Sequence, residues 1–107
     1  MSAATRLLIV IVNEADRYRE QPLFEALVQR LQREGVAGVT VHAGVMGFGR
    51  HHRVHQRGLF GIADDRPMTL LAVDEETRLR SVVPDIRAMV QDGLVVLVDA
   101  ELVPAQT

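Results

Sequence analysis

Arg6-Leu7-Leu8-Ile9-Val10-Ile11-Val12 is apolar at every position after the arginine and rich in β-branched side chains. A strand with one wet face would alternate apolar and polar residues. This run does not alternate, so it reads as a central strand covered on both faces. Asn13-Glu14-Ala15-Asp16-Arg17 follows as a polar turn, with Glu14 and Asp16 shaping it and pairing with Arg17 or Arg19. Pro22 then opens a helix at a position where a missing N–H costs nothing. Leu23, Leu27 and Leu31 form one stripe with Phe24, Ala26 and Val28, and Gly35 ends the helix as a left-handed cap.

Beyond Gly35, Val39, Val41, Ala43 and Val45 alternate with Thr40, His42 and Gly44, the period of a second strand. A glycine-rich basic stretch intervenes from Gly44 to Gly61. Pro67 starts a third strand, Met68 to Val73, since proline is tolerated at a strand's first residue. Asp74 is placed to cap a second helix carrying Leu79, Val82, Val83, Ile86, Met89 and Val90. Pro84 inside that pattern predicts a kink, or a restart at Ser81. Gly93 closes the helix, and Leu94-Val95-Val96-Leu97-Val98 is the last strand. The order β-α-β-β-α-β defines an α+β, ferredoxin-like sandwich: a four-stranded antiparallel sheet with two helices on one face. We expect a single domain over residues 1–107, with a flexible loop at about 47–64.

Right-handed crossovers place both helices on the same side. The other face of a two-sided apolar sheet then needs a cover. At roughly 25 cal/mol per Å² of apolar surface, leaving it wet is a large loss for 107 residues. A homo-oligomer is expected.

The totals exclude several classes. The net charge of −2 gives no case for nucleic acid, and the basic stretch lacks interleaved aromatics for base stacking. The absence of cysteine excludes disulfides and thiolate chemistry. The apolar run ending at Val12 is far shorter than the roughly 20 residues a membrane helix needs. It also lacks a cleavage-site profile. These readings point to a cytoplasmic protein with no membrane insertion. No base–nucleophile set is evident around Glu14 and Asp16, so we expect a binding protein and not an enzyme.

Gly44-Val45-Met46-Gly47-Phe48-Gly49-Arg50-His51-His52-Arg53-Val54-His55-Gln56-Arg57-Gly58 is where chemistry concentrates. Its glycines let backbone N–H groups approach a ligand, and arginine forks suit phosphate or carboxylate. A hairpin connection with a solvated basic tip has the same composition. The stretch is not a Walker loop, since no Gly-Lys-Ser/Thr follows. His51, His52 and His55, with His42 nearby in sequence, are an alternative zinc or copper ligand set at neutral pH.

At Gly47-Phe48-Gly49-Arg50 the chain resembles the PII signalling proteins, which carry Gly-Phe-Gly-Arg at the base of a long loop. The resemblance is closer still to the PII-like bacterial family called domain of unknown function 190. That likeness rests on Glu14, Pro22-Leu23-Phe24, Gly38-Val39-Thr40-Val41 and Gly47-Phe48-Gly49. It implies a homotrimer with ligand clefts between subunits, and a loop presented to a protein partner such as a transporter or enzyme. The ligand it implies is an adenine nucleotide or a related small anion, with no cofactor required. Thr40 would line the cleft, Gly47, Gly49 and Arg50 would stand at its phosphate end with Phe48 among the ligand-binding residues, and His51 would stand where PII has a polar loop residue. The departures are specific. One extra residue separates Thr40 from Phe48, which predicts a bulge or register change. The glycine-rich segment before the last strand is reduced to Asp92-Gly93-Leu94 without a lysine, and the C-terminal arginines of PII are absent.

Overall fold

A computed structural model describes residues 4–48, 54–56 and 66–106, with 54–56 described as backbone. The apolar run becomes β1 (Thr5–Asn13). A small ribbon, β2 (Arg17–Tyr18) and β3 (Gln21–Pro22), precedes α1 (Leu23–Arg33). Then come β4 (Thr40–Ala43), β5 (Met46–Phe48), β6 (Val54–Gln56), β7 (Pro67–Glu75), α2 (Glu76–Met89) and β8 (Leu94–Ala100). The main sheet has four strands in the order β4-β7-β1-β8, with every neighbouring pair antiparallel. This is the ferredoxin-like arrangement read from the sequence.

The register explains where the core lies. Leu8 pairs with Ala72 and Leu97, Val10 with Leu70 and Val95, and Val12 with Met68. These residues face the helices and meet Leu23, Ala26, Leu27 and Leu31 of α1 and Leu79, Val82, Ile86 and Met89 of α2. Leu27, Leu31, Leu79 and Ile86 are fully buried. Each such side chain removed from water contributes about 1.5–3 kcal/mol.

The intervening rows form the opposite face. Leu7 stands between Val73 and Val98, Ile9 between Leu71 and Val96, and Ile11 between Thr69 and Leu94. β4 extends this grid with Thr40 beside Leu71 and His42 beside Thr69. Leu94 is 58% exposed, and Val73, Val96 and Val98 are each more than one-third exposed. Among the described residues no helix covers this apolar face.

The first helix ends as its glycine predicts. Gly35 sits at φ 81° and donates to Gln32 O at 3.1 Å, while Val36 N–H reaches Leu31 O at 3.1 Å. That is a Schellman closure. The second helix differs from expectation at three points. Asp74 is not its cap, because β7 continues through Glu75. The Asp74 carboxylate instead accepts the N–H of Ala37 at 3.0 Å and of Glu75 at 2.7 Å. No restart occurs at Ser81: the helix runs unbroken from Glu76 through Pro84, whose ring lies on the exposed side. Finally, α2 stops at Met89, before Gly93. Gly93 serves a different need, since a Cβ there would stand 2.5 Å from the carbonyl oxygen of Ile11.

A methyl group at residue 93 must therefore push β8 away from β1. Gly93→Ala is expected to lower stability by about 1–3 kcal/mol, the usual cost of overpacking. Gly38→Ala meets nothing within 4 Å and should be neutral or slightly stabilising. Urea midpoints of the two variants against wild type check this contrast.

Candidate functional site at the β1–β7 end of the sheet

One end of the sheet gathers the last residues of β1 and β4 and the first of β7. Register places Asn13 opposite Pro67 and Ala43 opposite Met68. β4 breaks at Gly44 and Val45, and the chain resumes as β5, which pairs with β6 in a separate ribbon: Met46 with Gln56, Gly47 with His55, Phe48 with Val54. The chain thus changes pairing partner after Ala43, while β4 itself keeps one register with β7, from Thr40 opposite Leu71 to Ala43 opposite Met68. Gly44 permits the close approach that the break needs. Its N–H donates to Pro67 O at 2.7 Å, and a Cβ there would meet Pro67 Cγ at 2.5 Å. At Gly47 a Cβ would meet the same ring at 3.5 Å, an ordinary contact.

The return from the basic segment is held by a double tie. Glu14 N–H donates to Arg66 O at 2.7 Å, and the Arg66 guanidinium donates back to the Glu14 carboxylate at 3.0 and 2.7 Å. This bidentate geometry is the strong form of the carboxylate–guanidinium contact. The expected partner of Glu14 was Arg17 or Arg19; the structure places Arg66 there instead. The hydrogen bond to Glu14 holds the Arg66 proton above the usual arginine range. A raised cationic pKa adds stability that is complete below the ordinary value and is lost only as pH rises past the raised one. The Arg66 charge is therefore constant across the neutral range. Asp16 keeps its turn role, its carboxylate accepting the N–H of Asn13 at 3.0 Å.

Of the residues singled out in the sequence, Thr40 lies exposed on β4, in the same row as Leu71, Ile9 and Val96. His42 is exposed one row further, toward Gly44. Gly47 and Phe48 lie on β5, with Phe48 64% exposed beside exposed Val45 and Met46. Gly49, Arg50, His51 and His52 lie outside the described residues, as does most of the 47–64 loop. His55 is placed by its backbone in β6. Among the described residues no group of three histidine, cysteine or carboxylate side chains is gathered for a metal. No described helix is long and apolar enough to cross a membrane.

The sequence reading missed Arg66 and the exposed apolar start of the ribbon, Val45-Met46. Arg66 carries no local signal, because its partner lies 52 residues away. Val45 continues the alternation of Val39, Val41 and Ala43, but β4 ends at Ala43 and Val45 is exposed.

This is the fold of the PII proteins. A PII-like protein from Thiomonas intermedia K12, solved with ADP, AMP and bicarbonate, superposes with a TM-score of 0.63 at 24% identity, covering 92% of this chain and 87% of that one. Arabidopsis thaliana PII bound to citrate gives 0.61 at 17% identity, over 92% and 78%. A family profile described as "Uncharacterized ACR, COG1993" (DUF190) matches residues 5–102, and the chain belongs to that family. A relative of the same kind, the UPF0166 protein of Aquifex aeolicus, is 24% identical over 98 residues, 92% of each chain.

Glu14→Gln keeps the backbone bond from Glu14 to Arg66 but removes the charged fork. Hydrogen exchange is expected to speed up at the Glu14 and Gly44 amides, while the Leu8 and Val10 amides stay protected. Unchanged exchange at Gly44 would show that the tie does not hold this end of the sheet.

Proposed function

We propose that this chain is a cytoplasmic PII-like signalling protein, acting by binding and not by catalysis. It assembles as a homotrimer and takes an adenine nucleotide or a related small anion in clefts between subunits. The basic segment after Phe48 then reports occupancy to a protein partner, a transporter or an enzyme. The observation that carries this reading is the juxtaposition at the β4 edge. Thr40 shares the uncovered apolar face, and four residues later the same strand passes into the glycine-rich, arginine-rich segment. A second subunit covering that face brings its own surface against Thr40 and the root of the segment. A site at such a seam is completed by assembly. The anions solved with PII-fold proteins, ADP, AMP, bicarbonate and citrate, share the carboxylate or phosphate chemistry that Arg50 and the glycine N–H groups suit. The Asp92-Gly93-Leu94 segment, which lacks a lysine, argues for a ligand with fewer phosphates than ATP.

Assembly is read by light scattering, where the wild type should show a mass near three times 11.9 kDa. Val96→Asp puts a charge at the centre of the apolar grid and should yield monomers. A wild-type monomer at micromolar concentration would remove the basis for an intersubunit site.

Ligand binding is read by thermal denaturation with ADP, AMP, ATP, bicarbonate and citrate. A ligand at 100 times its dissociation constant adds about 2.7 kcal/mol to the folded state. Arg50→Ala should abolish the shift while the oligomer mass is unchanged. An equal shift in that variant would take Arg50 out of the site.

A further inference from the structure

The ribbon between β1 and α1 holds a backbone conformation that its sequence does not favour. Arg19 has φ 53°, the sole positive φ at a non-glycine among the described residues. It is the first residue of the two-residue loop joining Tyr18 to its partner Gln21, a position where glycine avoids the Cβ clash. Its guanidinium carbon stands 5.1 Å from the centroid of the Tyr18 ring. Arg17 donates to Glu20 O at 3.0 Å across the same loop. Strain of this kind persists where something else is gained by it.

The ribbon forms one wall of a cleft of about 400 Å³, within the size range of small-molecule sites. Leu23 and Met89, both buried, and Tyr18 supply its apolar surface; Ala88 and Met89 belong to the last turn of α2. The two helices end differently. α1 is closed by three backbone bonds from Glu34, Gly35 and Val36. α2 passes into extended Val90 with a single one, Val90 N–H to Ile86 O at 3.0 Å. Among the described residues no backbone N–H outside α2 reaches the carbonyls of Arg87, Ala88 or Met89. The cleft therefore has an arginine side and a side carrying the negative end of a helix dipole. Asp16 and Asp92 also line it, so the formal charges of its described lining residues balance.

We propose that this cleft binds a small zwitterion, an α-amino acid with an apolar side chain. Its carboxylate meets the Arg17 and Arg19 guanidinium groups, its ammonium meets the carbonyl end of α2, and its side chain packs on Tyr18, Leu23 and Met89. A simple anion would face Asp16, Asp92 and the helix's negative end, and a simple cation would face two arginines. A zwitterion satisfies both poles. In this left-handed turn the Arg19 guanidinium lies over the Tyr18 ring, and both residues line the cleft. Among the described residues the cleft shares none with the Thr40–Phe48 edge.

The full-length protein is titrated calorimetrically with L-leucine, L-methionine and L-phenylalanine. Two analogues of leucine that each lack one pole, 4-methyl-2-oxopentanoate and 3-methylbutylamine, are titrated alongside. One or more amino acids should bind, with each single-pole analogue weaker by about tenfold or more, the loss of one charge-assisted contact. Arg19→Gly relieves the backbone strain, so its melting temperature should equal or exceed that of wild type. Its amino-acid affinity should fall by about tenfold or more, with any nucleotide affinity unchanged. Equal binding of the oxo acid, undiminished binding in Arg19→Gly, or no binding of any amino acid at millimolar concentration overturns the proposal.

Discussion

Everything in this chain is arranged around the double pairing of β1. The strand lies between β7 and β8 over most of its length, and both faces of it are aliphatic. Leu8, Val10 and Val12 are almost entirely removed from water. Because α1 and α2 pack on that one side, the Leu7, Ile9 and Ile11 rows have, among the described residues, only the neighbouring side chains of the sheet. Alternating polar residues would have relieved that exposure at no cost to the ladder. Their absence from β1, and from most of β8, is the observation on which the proposed assembly rests.

The candidate site follows from the same geometry. β4 is an edge strand of four residues, and its far end must leave the sheet where β7 enters. That exchange is crowded, as the 2.5 Å approach to Pro67 at residue 44 shows. Glycine solves the crowding on one side, and the Glu14–Arg66 fork fixes the other. The basic segment is therefore rooted in rigid elements at both ends, the condition under which a loop can hold a ligand in register with a sheet edge.

Periodicity carried most of the fold. Two-sided apolar runs marked β1, β7 and β8, helical stripes marked α1 and α2, and Gly35 marked a real left-handed cap. The failures have separate physical causes. The β2–β3 ribbon has strands of two residues, too short for any period. Asp74 had the right chemistry for a cap, but β7 extends past it and the neighbouring amides of Ala37 and Glu75 claim its oxygens. Gly93 was read as a helix terminator, whereas its lack of a side chain is used against Ile11 O. Of the site, the glycine and arginine composition was legible. The Arg66 tie was not, because a pair 52 residues apart leaves no mark on local sequence.

The contrast between Gly35 and Arg19 bears on function. Both occupy left-handed backbone, at φ 81° and 53°. At the first, the chain uses the residue that costs least, and the reward is a closed helix and a buried Val36. At the second it uses arginine, whose Cβ makes that conformation unfavourable by about 1–2 kcal/mol. Nothing in the ribbon's backbone pairing requires a cation there, since Tyr18–Gln21 and Arg17–Pro22 pair through main-chain atoms. A fold that places glycine correctly in one turn has no structural need for arginine in another. The difference is best accounted for by what the guanidinium faces: an aromatic ring, and a cleft whose lining includes the last turn of α2.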